Sequence, residues 1–283
     1  MKTPEKYPSI MNNFLFESEL ALKALSSGVE LFEERYAEGF SVHTKGDRRD
    51  IVTELDLLIE KRIRDILKPS GYRIIGEEGT KNDSIAVPSN KLVWFVDPID
   101  GTVNLAHTVP FYSISIGLVK NSSFVSGAVA LPALKEIFFT MGNLGAYRNG
   151  SILSVARAEL KESLVAVSFS SDSGNMRKRE TEYKVFGIIN DTSRGCLRLG
   201  SASVNICYAA AGRLQSVYGV ANKIWDVAGS IAVALCAGCR VYIEWEKCST
   251  RINFVVGAPG VADTIAEIVN KNKLAHLRLV TKG

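Results

Sequence analysis

Long apolar segments and several diagnostic motifs are absent from this sequence of 283 residues. No apolar run reaches the ~18 residues that a membrane span requires, and the first residues, MKTPEKYPSI, lack the apolar core of a signal peptide. No G-x-x-x-x-G-K-[ST] occurs, which disfavours a nucleotide-binding kinase, and no dense basic or aromatic stripe suggests nucleic acid. We therefore expect a cytoplasmic protein whose partners include neither membranes nor nucleic acids.

Cysteine and histidine are scarce. The three histidines are scattered, and the five cysteines are an odd number in the second half of the chain, which does not suggest a secreted disulfide framework. Cys236 and Cys239 form one isolated C-x-x-C at the end of an apolar segment, so packing is favoured over zinc or redox chemistry. Hydrophobic residues at 46%, charged residues at 23% and a net charge of +4 are typical of a globular protein that tolerates anionic substrates.

Hydrophobic periodicity predicts alternating helices and mixed sheets. Apolar residues at steps of three and four indicate a long amphipathic helix over 10–36 and a second helix that begins near Thr53. Short apolar segments separated by turn residues over 114–147 indicate an antiparallel meander, and an apolar helix is expected over 224–235. The length allows one large domain, 1–283, or two packed lobes, 1–150 and 151–283.

The most informative stretch is Leu92–Leu118, and its centre reads D-P-I-D-G-T. Leu92–Val96 is a buried strand by composition, and Pro98 predicts a turn after Asp97 that brings Asp100 back towards it. Two carboxylates in one small volume repel each other unless a divalent cation lies between them. Two solvated aspartates in a β-turn are the alternative for an isolated D-P-x-D.

Four further segments carry polar residues that have ordinary explanations taken alone. Asp56 could cap the second helix, the paired Glu77 and Glu78 could be solvated, and Ser201 could cap a helix. Asp226 at the start of the apolar helix complements the helix dipole. Carboxylates without nearby His or Cys nonetheless suit a hard cation such as Mg²⁺, which in turn suits phosphate.

Together these segments resemble the inositol monophosphatase family of lithium-sensitive, Mg²⁺-dependent phosphatases. The family's first signature, W-x-x-D-P-[IL]-D-G-[TS]-x-N, is similar to Trp94–Asn104, and its second, W-D-[VL]-A-[AG], is similar to Trp225–Gly229. The segments Lys45–Asp56, Gly76–Glu78 and Gly200–Ala202 resemble three other family motifs in the same order. The resemblance covers nearly the whole chain and implies the layered α-β-α-β-α sandwich of the sugar phosphatases, an α+β fold, in a homodimer.

The resemblance also implies a role for each matched residue. Two or three Mg²⁺ ions per site are expected, with Asp97 as the bridging ligand and the lobe 151–283 supplying Asp226. The expected ligands are Glu77, Asp97, the carbonyl of Ile99, Asp100 and Asp226. Thr102, with Glu77 or Asp56, would orient a metal-bound water for in-line attack without a phosphoenzyme, and Lys45 would lie beside the metals. The expected substrate contacts are Asp100, Gly101, Thr102, Gly200, Ser201, Ala202, Arg198, Lys223 and Asp226.

Substrate choice is where the sequence departs from the family pattern. The inositol phosphatases carry a Glu seven residues before the second-signature aspartate, and this chain has Gly219 there. Inositol 1-phosphate, fructose 1,6-bisphosphate or both are therefore expected as substrates, and Arg198 or Lys223 could neutralise a second phosphate. The alternatives are another phosphosugar, NADP or 3′-phosphoadenosine phosphate, and, less favoured, a two-metal nuclease.

Overall fold

The computed structural model describes residues 14–44, 51–80, 85, 90–169, 175–245 and 249–280. Lys45, predicted beside the metals, lies outside the described residues. Seven α-helices are present in the described ranges: α1 Leu15–Glu38, α2 Glu54–Leu67, α3 Thr102–Ala106, α4 Met176–Thr192, α5 Ala202–Ala210, α6 Ile224–Cys236 and α7 Val261–Lys271. No helix in these ranges has both the length and the apolar character needed to cross a membrane.

The strands form one hairpin and two larger sheets. They are β1 Val42–Thr44, β2 Ile51–Thr53, β3 Arg73–Gly76, β4 Leu92–Asp100, β5 Ser113–Lys120, β6 Ser123–Leu131, β7 Glu136–Thr140, β8 Ala146–Arg148, β9 Ser151–Ile152, β10 Leu164–Ser168, β11 Gly195–Leu197, β12 Ser216–Lys223, β13 Arg240–Trp245, β14 Arg251–Gly257 and β15 Arg278–Leu279. Strands β1 and β2 pair with each other. The first sheet has the order β3-β4-β5-β6-β7-β8-β9, and the second has the order β11-β10-β12-β14-β13-β15.

Five layers are stacked in the order α-β-α-β-α, as the resemblance implied. Helices α1 and α2 cover one face of the first sheet, and α5 and α6 lie between the two sheets. Helices α4 and α7 cover the outer face of the second sheet. One apolar cluster fills each outer interface, and a third surrounds α5 and α6, since each amphipathic layer can bury its apolar face only against the next.

Glycines let α6 touch the first sheet backbone to backbone. A Cβ on Gly117 of β5 would lie 2.5 Å from the carbonyl carbon of Ala228, and one on Gly127 of β6 would overlap the Gly229 oxygen. A Cβ on Gly229 itself would lie 2.6 Å from the oxygen of Ile116. These three contacts fix the distance between α6, which carries Asp226, and the sheet that carries Asp97.

Most predicted elements are confirmed, with shifts of a few residues at their ends. The helix at the start of the chain, the helix from Glu54, the meander and the apolar helix are all present. The prediction that β4 stops at Asp97 is wrong, because β4 remains paired with β5 as far as Asp100. Strand β12 was not predicted, since its polar second half, Ala221–Lys223, lacks an apolar alternation. Cys236 and Cys239 form no disulfide, and Cys239 packs in the central core, as expected for a structural role.

We predict that Gly127→Ala destabilises the protein by about 2–3 kcal/mol, because the new methyl group would force α6 away from β6. Gly187→Ala is the matched control. Gly187 lies inside α4 with nothing within 4 Å of its Cβ position, so alanine there should stabilise by about 0.5–1 kcal/mol. Urea unfolding of both variants measures the two effects. Equal stabilities for the two variants would contradict the close-packing argument.

Candidate functional site

A β-bulge places the two aspartates of the first signature on the same face of the sheet. Asp97 is opposite Ser115 and Asp100 is opposite Ser113, so three steps along β4 match two steps along β5. Side chains alternate along a strand, and residues three apart would normally point to opposite faces. The extra residue at Pro98-Ile99 removes that difference, and proline is tolerated here because a bulge leaves an N–H unpaired. Both carboxylates are buried.

The turn after β4 is held by short hydrogen bonds. The Asp97 Oδ1 atom accepts a bond of 2.9 Å from the backbone N–H of Ile99, and the Thr102 hydroxyl donates to the Ile99 carbonyl oxygen at 2.9 Å. Gly101 adopts a left-handed φ of 93°, and a Cβ there would lie 2.9 Å from the Phe111 oxygen. Only glycine fits both the conformation and the space at this position.

Glu77 reaches the site from the parallel neighbour of β4. Its backbone N–H donates to the carbonyl of Val96, the residue before Asp97, at 3.3 Å. Glu60 of α2 supports the loop that follows β3. Its carboxylate accepts the backbone N–H of Glu78 at 2.9 Å and forms an ion pair with Arg64 at 2.7 Å. Glu60 is buried, and sequence reasoning missed it because the loop residue that it binds, Glu78, is 18 residues away in the chain.

Asp226 enters from the first turn of α6. Its Oδ2 atom accepts the backbone N–H of Lys223 at 3.2 Å, which is the reciprocal half of a capping box. The explanation of Asp226 as a helix-start residue is therefore correct, and the same side chain also lines the pocket described next. The two roles are compatible because a carboxylate has four lone-pair positions.

A cavity of about 410 Å³ brings most of the predicted site residues together. Its lining includes Glu77, Asp97, Ile99, Asp100, Gly101, Thr102, Arg198, Gly200, Ala202, Lys223 and Asp226. Asp56 does not line the cavity. It is buried in the first turn of α2, close enough to raise the pKa of Asp97. Ser201 does not line it either, because its hydroxyl is buried against Asp100.

The cavity also contains residues that the sequence motifs do not single out. Val103, Val167, Ser168, Phe169, Ala221 and Asn222 complete the lining. Phe169 follows β10, packs on Tyr183 and Phe186, and lies 5.9 Å from the guanidinium of Arg198. Ala221 has a left-handed φ of 53° at a bulge in β12, and its two neighbours, Asn222 and Lys223, also line the cavity. A periodicity argument has no signal for such bulge residues.

Comparison with known proteins agrees with this geometry. The sequence profile of the inositol monophosphatase family matches residues 17–276. The chain belongs to the inositol monophosphatase family. It is 33% identical over 234 residues to an inositol-1-monophosphatase of Mycobacterium bovis, with 80% of each chain covered, and 30% identical to inositol monophosphatase 1 of Rattus norvegicus, with 74% and 76% covered. The solved structure of an IMPase of Thermotoga maritima is 27% identical, with a TM-score of 0.74, and the match covers 92% of this chain and 100% of that one.

The carboxylates of this family member share one electrostatic environment. Burial raises the pKa of Asp97 well above its usual range, and nearby Glu77, Asp226, Asp100 and Asp56 raise it further. Burial also raises the pKa of Asp226, with Asp100 and Glu77 adding to the shift, while Lys223 opposes it. Burial raises the pKa of Asp100 to about 6, against hydrogen bonds from Ser201, Ser203 and Ala202 that lower it. The native fold therefore holds negative charges together against their repulsion.

This set of donors fits a hard divalent cation. Four carboxylates and the carbonyl of Ile99 offer only oxygen ligands, and the cluster gains most from added positive charge. As placed, no three acidic, His or Cys side chains among the described residues converge closely enough to hold a metal ion. The four carboxylates nonetheless line the same cavity, so rotation about side-chain bonds would be needed to bring them into coordination.

We predict that the metal-free protein becomes less stable than its Asp97→Asn variant as pH rises. The folded-state pKa of Asp97 is raised. The stability that this carboxyl contributes to the fold is therefore fully present below the unfolded pKa of about 3.9 and is lost as pH increases through the folded-state pKa. The asparagine oxygen can still accept the Ile99 N–H. Melting temperatures measured in a chelating buffer between about pH 4 and pH 8 should diverge with increasing pH. A pH-independent difference would contradict the electrostatic cause.

Proposed function

We propose that this protein is a Mg²⁺-dependent phosphatase that hydrolyses a small phosphomonoester, inositol 1-phosphate or fructose 1,6-bisphosphate. The observation that supports this best is the arrival of Glu77, Asp97, Asp100 and Asp226 from three separate segments at one cavity. The family membership supports hydrolysis of a phosphomonoester. The cavity, at about 410 Å³, is of a size that suits a small phosphorylated molecule.

The proposed ligands divide between two positions that share Asp97. Glu77, Asp97 and the carbonyl of Ile99 would hold one Mg²⁺, and Asp97, Asp100 and Asp226 would hold a second, with a third as the upper limit. When bound, Mg²⁺ supplies positive charge for the phosphate and lowers the pKa of water. Asp56, buried next to Asp97, adds negative charge behind the ligands and strengthens the attraction for cations.

Thr102 is suited to orient the attacking water. Its hydroxyl proton is used in the bond to the Ile99 carbonyl, so its oxygen can only accept a hydrogen bond from a water in the cavity. Asp56 does not line the cavity, so Glu77, which does, would accept the second proton as the water attacks phosphorus in line with the departing alkoxide. The backbone N–H groups of Gly101 and Thr102 would bind phosphate oxygens and stabilise the added charge. Water is the nucleophile, so no phosphoenzyme is required.

The cavity favours a substrate with more than one anionic group. Arg198 and Lys223 both line it, and Gly219 provides no carboxylate for a sugar hydroxyl. The aromatic ring of Phe169 beside Arg198 also suits a nucleotide, which keeps NADP and 3′-phosphoadenosine phosphate as alternatives to a phosphosugar. A two-metal nuclease is less favoured, because Arg198 and Lys223 are the only basic side chains among the described residues that line the cavity. A homodimer, a cytoplasmic location and the lobes 1–150 and 151–283 stay predictions.

We predict Mg²⁺-dependent phosphate release from inositol 1-phosphate or fructose 1,6-bisphosphate and inhibition by lithium. The measurement is a colorimetric phosphate assay on a panel that also includes NADP and 3′-phosphoadenosine phosphate. Asp97→Asn should lower kcat by about a thousandfold or more, because it removes the shared ligand. Full activity of that variant, or no release from any substrate with Mg²⁺ present, would overturn the proposed function.

We predict that Lys223→Ala selectively impairs hydrolysis of the bisphosphate. Loss of one charged contact should raise the KM for fructose 1,6-bisphosphate about tenfold and that for inositol 1-phosphate less than twofold. Lys271→Ala removes the same charge from an exposed site on α7 and serves as the control. An equal loss on both substrates would exclude a role for Lys223 in binding a second phosphate and would point instead to its electrostatic effect on Asp226.

A further inference from the structure

Ser201 occupies a buried position behind the carboxylate cluster. It is the N-cap of α5, and its oxygen accepts the backbone N–H of Val204 at 3.2 Å. Its hydroxyl proton is donated to the Oδ2 atom of Asp100 at 2.6 Å. Only 1% of the residue is exposed, so the hydroxyl is not offered to a molecule in the cavity. A single serine hydroxyl has one proton and can make both bonds at once.

Asp100 receives a second strong bond at the same oxygen. The backbone N–H of Ser203 donates to Oδ2 at 2.7 Å, so both bonds come from the first turn of α5. The residues are about a hundred positions apart in the chain, and the link therefore joins β4 to the helix layer between the sheets. Charge-assisted hydrogen bonds of this length are about twice as strong as neutral ones, so they set the orientation of the carboxylate.

Asn104 holds the segment before Ser201 in place. Its side-chain amide donates to the carbonyl of Leu199 at 2.7 Å and to that of Phe111 at 2.6 Å. Gly200 packs directly on this amide, because a Cβ at Gly200 would lie only 2.7 Å from the Asn104 nitrogen. The first signature thus contacts the Leu199–Ser201 segment twice, through Asn104 and through Asp100.

We infer that Ser201 is a positioning residue for metal binding. Its hydroxyl fixes Oδ2 of Asp100, so that the carboxylate presents its other oxygen to the cation. This inference rests on the proposed function, since it requires Asp100 to be a metal ligand. Ser201 touches neither substrate nor metal in this role. It acts through Asp100, in the manner of the hydrogen-bonded partners that orient ligands in metal sites generally.

A purely structural role as a helix cap is the competing explanation, and α4 offers a matched control. Its N-cap, Asn175, accepts the N–H of Lys178 at 3.1 Å, which is the same bond that Ser201 accepts from Val204. Removing either cap should cost about 1 kcal/mol of stability. Only the Ser201 variant also removes a hydrogen bond from a carboxylate of the cluster.

The test is Mg²⁺ binding without substrate, measured by isothermal titration calorimetry, with melting temperatures recorded in parallel. Ser201→Ala should bind Mg²⁺ about tenfold more weakly, and Asn175→Ala should bind it as the unmodified protein does; both lose the stability of a helix cap, and Ser201→Ala also loses that of the bond to Asp100. Ser201→Gly caps a helix almost as well as serine and should show the same weakening of Mg²⁺ binding, with only the stability of the bond to Asp100 lost. Ser201→Thr keeps the hydroxyl and should bind Mg²⁺ within about twofold of the unmodified protein.

Unchanged Mg²⁺ affinity in Ser201→Ala and Ser201→Gly would overturn the positioning role and leave the phosphatase proposal intact. Failure of Ser201→Thr to retain affinity would also overturn it, because the hydroxyl would not then be the decisive group. Absence of Mg²⁺ binding by the unmodified protein would overturn the proposed function itself, and the inference with it.

Discussion

Repulsion between buried carboxylates is the constraint on which the rest of the structure depends. Asp97, Asp100 and Asp226 each have a pKa raised by burial, and Glu77 adds a further charge. Such an arrangement opposes folding, so it persists only because packing elsewhere over-determines it. The backbone contacts between α6 and the glycines of β5 and β6 are the clearest part of that packing. The carboxylate cluster lowers the stability of the fold, and packing of the apolar layers offsets this loss. The same repulsion between carboxylates gives the site its attraction for cations.

The sequence predicts local structure well because local structure depends on neighbours in the chain. Hydrophobic periodicity indicated α1, the meander and α6 without reference to any distant contact. The same reasoning failed at Pro98, where a proline normally indicates a turn. Pairing with β5 continues through Asp100, because the sheet accepts an extra residue as a bulge. Asp97 and Asp100 are three residues apart, and only the bulge places both side chains on the same face of the sheet. No local sequence rule predicts that bulge.

Sequence motifs predict the residues that line the cavity but not the residues that support them. The acidic residues of the cavity, Thr102 and Gly101 follow from signatures that can be read directly in the sequence. The supporting residues do not, because a buried Glu60 or Ser201 has the same local sequence signal as a surface Glu or an ordinary cap. Their roles arise from bonds that span 18 residues in one case and 101 in the other. Long-range partners are set by the layer packing, and that is information a motif does not contain.

Gly219 stands where the inositol phosphatases carry a Glu, and the packing around it leaves no room for an acidic side chain. Gly219 lies opposite Phe254 in the pairing of β12 with β14, and a Cβ there would lie 2.5 Å from the Phe254 ring and 2.6 Å from the Asn222 amide. The space that a carboxylate would need is therefore already filled. Restoring an acid by substitution at this position alone would displace Phe254 or Asn222, and Asn222 lines the cavity. The missing acid is thus part of a correlated arrangement of side chains, and Arg198 and Lys223 are the basic residues among the described residues that line the cavity.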